Sequence, residues 1–133
     1  LGYSTFLKKK YKSKISLSKV NLNNFNNLKK KIGTIKPDVV FHLASNADVR
    51  NSFFEPLKFS KNNNMITANL LEALRQIKSK SIIVICSTSE VYGNVEKKNM
   101  PIKETQQIAP INPYAVTKVF QDLMLVHLLL YQA

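Results

Sequence analysis

Tyr114 and Lys118, four residues apart, are the pair in this sequence best suited to move a proton. On a helix they share one face, one turn apart. A phenol with an unperturbed pKa near about 10 is a weak base at neutral pH. An adjacent ammonium favours the phenolate, so the spacing predicts a lowered tyrosine pKa and a usable proton acceptor. Ahead of the pair runs Ser87-Thr88-Ser89-Glu90-Val91-Tyr92-Gly93. At the end of a strand, the Thr88 hydroxyl can share a substrate hydroxyl with Tyr114. Alone, a Tyr-x-x-x-Lys spacing arises by chance in many helices, as a half-packed tyrosine and a solvated lysine. Its weight here comes from following a strand that ends in Ser-Thr-Ser-Glu.

The elements that must hold these residues are written in the hydropathy. Residues 15–22 alternate apolar and polar, the period of a strand. Asn23 or Asn24 can cap a helix in which Phe25, Leu28 and Ile32 recur at three and four residues, with Gly33 near its end. Pro37 and Asp38 lead into a continuous apolar run over 39–44, which suits a strand covered on both faces. Residues 45–55 read as polar and irregular. A helix is expected over 56–78, with Ile66, Asn69, Leu70, Ala73 and Leu74 on one face. Residues 81–87 form a second buried strand, and 88–113 a long loop carrying Gly93, Pro101, Pro110 and Pro113. A final helix starts near Tyr114 and ends in an apolar tail, Leu123 to Leu130. Strands alternating with helices mean βαβ units, a parallel sheet with helices outside, and an α/β fold. Residues 87–90 then fall at the carboxyl end of a strand, where open α/β sheets place their clefts.

Composition removes several classes. The chain has 133 residues, of which 44% are hydrophobic, enough for one modest domain with a core. No apolar stretch is long enough to span a membrane, and the first residues lack the order of a signal peptide. The single cysteine, Cys86, excludes a disulfide framework and fits a reducing compartment. The chain is therefore expected to be soluble and cytoplasmic, without a membrane partner. Its net charge of +12 is uneven: residues 1–37 hold ten lysines and no acid, while the remainder holds ten Lys and Arg against eight Asp and Glu. That segment has no arginine and no regular aromatic interleaving, so it reads as a solvated surface and not as a nucleic-acid interface. His42 is expected to be a hydrogen-bonded core histidine and Cys86 a small core residue. Asp48 and Glu55 are too isolated for a metal pair, so no metal is expected.

STSEVYG followed by NPYAVTK resembles the extended short-chain dehydrogenase/reductase family, the NAD(P)-dependent nucleotide-sugar epimerases and dehydratases. PDVVFHLASNADVRNS is similar to that family's fourth strand and the loop beside its cofactor. NNMITANLLEA is similar to its N-x-x-G-T-x-N-L-L-E-A helix. The resemblance covers roughly residues 15–131, with its motifs in the family's order. The implied fold is α/β, a partial Rossmann-like doubly wound parallel sheet, with 1–133 a partial NAD(P)-binding domain that carries the catalytic motifs.

The resemblance implies roles residue by residue. Tyr114 would take the proton of a sugar C4 hydroxyl as hydride leaves C4, Lys118 would hold the nicotinamide ribose, and Thr88 would bond the same oxygen. Glu90 matches the acid that removes the C5 proton in dehydratases. Asn21, Leu22, Leu43, Ala44, Ser45, Asn63 and Ser87 would contact the cofactor, and Ser52 and Ser89 the sugar nucleotide. NAD or NADP is implied, NADP slightly favoured. Glu90 and the segment NPYAVTKVFQDL read most like GDP-mannose 4,6-dehydratases, so a 4,6-dehydratase is expected; HLASNADVR favours a 4-epimerase as the alternative. A decarboxylase or ketoreductase stands behind both, and an inactive truncated piece is a further alternative. The departures are a missing glycine-rich phosphate turn, Asn21 where Asp is usual, and Ile66 in place of a glycine. With three glycines in all, the chain is expected to be a middle segment of a longer polypeptide whose intact form is a homodimer or larger.

Overall fold

The computed structural model describes residues 15–130; the lysines at 8–14 and the last three residues lie outside it. Helix α1 (Phe25–Ile35) begins where expected, with the Asn24 side chain accepting from the Asn27 N–H at 3.1 Å. It ends at Lys36, which adopts a left-handed conformation and returns its N–H to the Ile32 carbonyl. Strand β1 (Val39–His42) is followed by a short helix α2 (Val49–Phe54) and the long helix α3 (Pro56–Gln76). Strand β2 (Ile82–Ile85) pairs with β1 in parallel, Val39 opposite Ile82 and His42 opposite Ile85. Two short 3₁₀ turns, Ser89–Tyr92 and Lys97–Asn99, punctuate the loop before helix α4 (Pro113–Leu130).

Helices α1 and α3 pack on one face of the sheet. Leu28 and Ile32 meet Leu70, Ala73 and Leu74, and Val40 and Ile83 reach them from the strands. Helix α4 lies against α3. No helix among the described residues is long and apolar enough to cross a membrane.

Three expectations need correction. Residues 15–22 do not form a strand, so among the described residues the sheet has two strands and not three. Alternation makes a strand only where a partner edge is available; here Val20 and Leu22 instead pack as side chains on the core. Among the described residues the strands are also covered on one face only. Val39, Phe41, Ile82 and Val84 point away from the helices and are exposed, Phe41 at 67%. Finally, 49–54 is helical, because Asp48 caps it by accepting from the Asn51 N–H at 3.0 Å.

Candidate active site

The sheet's carboxyl edge gathers the expected proton-transfer groups. Helix α4 starts with Asn112 as its cap: the Asn112 Oδ1 accepts from the Ala115 N–H at 2.7 Å, and Pro113 takes the first helical position. That start brings Tyr114 and Lys118 against the exit of β2. Lys118 is 5% exposed and its Nζ donates to the Cys86 carbonyl at 2.8 Å. The same Nζ lies 5.8 Å from the centre of the Tyr114 ring, which is also buried. Thr88 caps the first 3₁₀ turn by accepting from the Glu90 N–H at 3.3 Å. Glu90 in turn accepts a hydrogen bond from the Asn112 side-chain amide. Ser87 donates to Asp122, one turn beyond Lys118 on α4. Ser89 begins the 3₁₀ turn as an exposed residue.

The electrostatics of this cluster depart from the expectation for the pair. The Tyr114 pKa is raised, not lowered. Burial is the largest cause, Cys86 and Glu90 add to it, and a hydrogen bond with Thr88 pulls the other way. Lys118 does not supply the expected depression because its Nζ is turned to the Cys86 carbonyl. The Lys118 pKa is itself lowered by burial, against the opposing pull of Cys86 and Asp122. Both groups are pushed towards neutrality, as burial without a full counter-charge requires. An anionic ligand near Lys118 would reverse its shift.

The loop leaving β1 is held by a relay of buried polar groups. The Thr67 hydroxyl has one hydrogen and gives it to the Asn63 carbonyl at 3.0 Å. It therefore accepts from His42 Nε2 at 2.8 Å, which fixes the His42 tautomer. Burial first, and then the Lys118 charge, lower the His42 pKa and keep the ring neutral. The fully buried Asn63 side chain accepts from the Asn46 N–H at 2.8 Å and donates to the Asn46 carbonyl at 3.0 Å and the Thr117 hydroxyl at 3.1 Å. This clasp presents Leu43 and Ala44 to solvent, with Ser45 half-buried beside them.

Three assignments change with this geometry. Asn63 was expected to touch the cofactor, but its side chain is spent on Asn46 and Thr117. Ser52 was expected to reach the sugar nucleotide, yet it is fully buried and donates to the Val49 carbonyl at 2.6 Å within its own helix. Cys86 is exposed and not a core residue, because β2 ends one residue before it. Asn21 is exposed, and the Leu22 carbonyl accepts from the Asn69 side chain at 2.9 Å, which ties that pair to α3. Asn112, Asp122 and Thr117 join the site without having been singled out. The signal for Asn112 was an asparagine before a proline at a helix start; Thr117 and Asp122 carried none.

A parallel strand with a Ser/Thr-rich exit, followed by a helix that carries Tyr-x-x-x-Lys, defines a short-chain dehydrogenase/reductase type of site. Residues 4–129 match the family model described as GDP-mannose 4,6 dehydratase. The UDP-glucose 4-epimerase of Mycoplasma pneumoniae is 33% identical over 109 residues, 80% of this chain and 32% of the relative. The dTDP-D-glucose 4,6-dehydratase of Dictyostelium discoideum is 38% identical over 92 residues, 62% of this chain and 21% of the relative. Among solved structures, the UDP-Glc/GlcNAc 4-epimerase of Campylobacter jejuni superposes with a TM-score of 0.84 at 26% identity, covering 94% of this chain and 37% of that one. RMD from Pseudomonas aeruginosa complexed with NADPH gives 0.75 at 27%, covering 87% and 42%. UDP-glucose 4-epimerase from Brucella ovis in complex with NAD gives 0.77 at 29%, covering 83% and 33%. The chain belongs to this family of nucleotide-sugar epimerases and dehydratases. It spans about a third of the length of the relatives it matches.

Proposed function

We propose that this chain supplies the catalytic segment of an NAD(P)-dependent nucleotide-sugar 4,6-dehydratase. The carrying observation is Glu90, a carboxylate close enough to Tyr114 for its charge to raise the phenol's pKa and fastened by Asn112. An epimerase needs only the C4 chemistry of Thr88 and Tyr114; a carboxylate beside them adds a base for C5. The matching family model supports the same reading.

Fit with a dinucleotide is divided. Lys118 uses one of its three N–H donors on Cys86, leaving two for ribose hydroxyls beside the exposed Leu43 and Ala44. The phosphate end has no G-x-G turn anywhere in these 133 residues. A dinucleotide held beside Lys118 would supply the hydride acceptor for C4 and the hydride donor for C6. Tyr114 Oη takes the C4 hydroxyl proton and Thr88 holds the same oxygen. Glu90 then takes the C5 proton, the C5–H electron pair forms a C5–C6 double bond, and the C6–O bond breaks. The proton taken and the hydroxide lost sum to one water and leave a 4-keto-5,6-ene; hydride at C6 and, at C5, the proton Tyr114 took from the C4 hydroxyl complete the 4-keto-6-deoxy sugar.

The second reading, a UDP-sugar 4-epimerase, draws on relatives named as such. Incubation with GDP-mannose or UDP-glucose plus NAD or NADP, followed by mass spectrometry of the sugar nucleotide, separates the two. A dehydratase product is lighter by one water; an epimerase product has unchanged mass, which would refute the dehydratase. Leu57, Met65, Val116, Leu123 and Val126 leave α3 and α4 with exposed apolar residues, which supports a homodimer for the intact protein.

A further inference from the structure

We propose that Asn112 is a positioning residue whose single side chain both starts the helix carrying Tyr114 and aims the Glu90 carboxylate, fixing the two proton-transfer groups relative to each other. The role rests on the dehydratase reading, because only there does Glu90 react. The amide's orientation is forced: Oδ1 is committed to the Ala115 N–H at 2.7 Å, so Nδ2 is the end that faces Glu90. Turning the amide over would set an NH₂ against an N–H and an oxygen against a carboxylate. Asn112 is 7% exposed, so water competes little for either bond.

The Glu90 main chain is held by other means. Its N–H goes to Thr88 Oγ1, its carbonyl accepts from the Gly93 N–H at 3.1 Å, and next to it the Val91 carbonyl accepts from the Ala109 N–H at 2.9 Å. Removing the Asn112 donor therefore frees the carboxylate and leaves the turn that carries it. Tyr114 lies two residues beyond Asn112, on the turn the cap begins.

Two substitutions separate aiming from capping. Asn112→Ser and Asn112→Asp both keep a good helix cap. Serine has no amide to give Glu90, and aspartate sets a second carboxylate against it. The assay uses the polypeptide as the cell makes it, with GDP-mannose and NADP in D₂O. It reads C5 deuterium uptake by NMR against C4 oxidation, followed as reduced nicotinamide in a single turnover. Misplacing a reacting group by about an ångström costs on the order of a hundredfold. The ratio of C5 exchange to C4 oxidation is accordingly expected to fall about tenfold to a hundredfold in both variants. Asn112→Ala, which loses the cap as well, should slow both steps, and thermal melts report whether each variant is folded. A ratio within about twofold of the parent in the Ser and Asp variants overturns the role of Asn112 alone. A parent that epimerises without C5 exchange overturns the dehydratase reading and this role with it.

Discussion

Alanine at Gly93 and alanine at Gly33 should move stability in opposite directions. Gly93 has φ of +61°, and a Cβ built there would stand 2.1 Å from the Ala109 carbonyl oxygen and 3.1 Å from Ile111 Cγ2. The first neighbour is backbone and cannot rotate aside, so residues 109–111 of the loop must retreat by more than an ångström. That retreat breaks the Ala109 N–H to Val91 carbonyl bond of 2.9 Å, costing about 0.5–1.5 kcal/mol. The unfavourable backbone conformation adds about 1–3 kcal/mol. Gly93→Ala is thus expected to cost about 2–4 kcal/mol, a drop in Tm on the order of 10 °C for a chain of this size. Gly33 sits inside α1, where a Cβ meets only Ile77 Cγ2 at 3.8 Å, an ordinary contact. Gly33→Ala should therefore stabilise by about 0.5–1 kcal/mol. Thermal unfolding followed by circular dichroism reads both. A Gly93→Ala melt within about 2 °C of the parent would refute the reasoning, because it would show that the loop yields without loss.

Three further outcomes follow from the buried polar groups. The folded His42 pKa lies below the ordinary histidine value of about 6.5, so as pH falls the unfolded chain binds that proton first. Stability should be complete above about pH 6.5 and decline below it, with a shallower decline in His42→Gln, as read from denaturant midpoints. Asn63→Leu strips partners from Asn46 and Thr117 and should cost about 2–4 kcal/mol, with faster hydrogen exchange at the Asn46 amide. The raised Tyr114 pKa predicts that kcat/KM for C4 oxidation climbs with pH without levelling before about pH 10; a plateau near neutrality would refute it.

Much of the fold could be read in the chain because its signals are local. The Asn24 cap, the spacing of Leu28 and Ile32, and the apolar runs at 39–44 and 81–87 each specify an element from neighbours within a turn or two, the strands themselves being shorter, Val39–His42 and Ile82–Ile85. Tyr114 and Lys118 share a helix face by spacing alone. What escaped depends on distant partners. Residues 15–22 alternate, but no property of those eight residues supplies an edge to pair with. The apolar runs tell of strands and not of which faces are covered. The direction of the Tyr114 shift is set by burial first, then by Cys86 and Glu90, 28 and 24 residues earlier. Ser52 and Asn63 look like polar residues awaiting a ligand until packing gives them partners inside the protein.

The sheet face that the described residues leave exposed has a thermal consequence. Val39, Phe41, Ile82 and Val84 form a continuous apolar surface, extended by Leu43. Near room temperature the drive to cover such a surface is entropic, and covering it lowers the heat capacity. Any contact made there tightens on warming and loosens in the cold, whereas the hydrogen-bonded clasp around Asn63 has no such dependence built in. The two sides of one sheet therefore respond differently to temperature: the helix-covered side keeps the site's geometry, while any contact made on the other strengthens on warming.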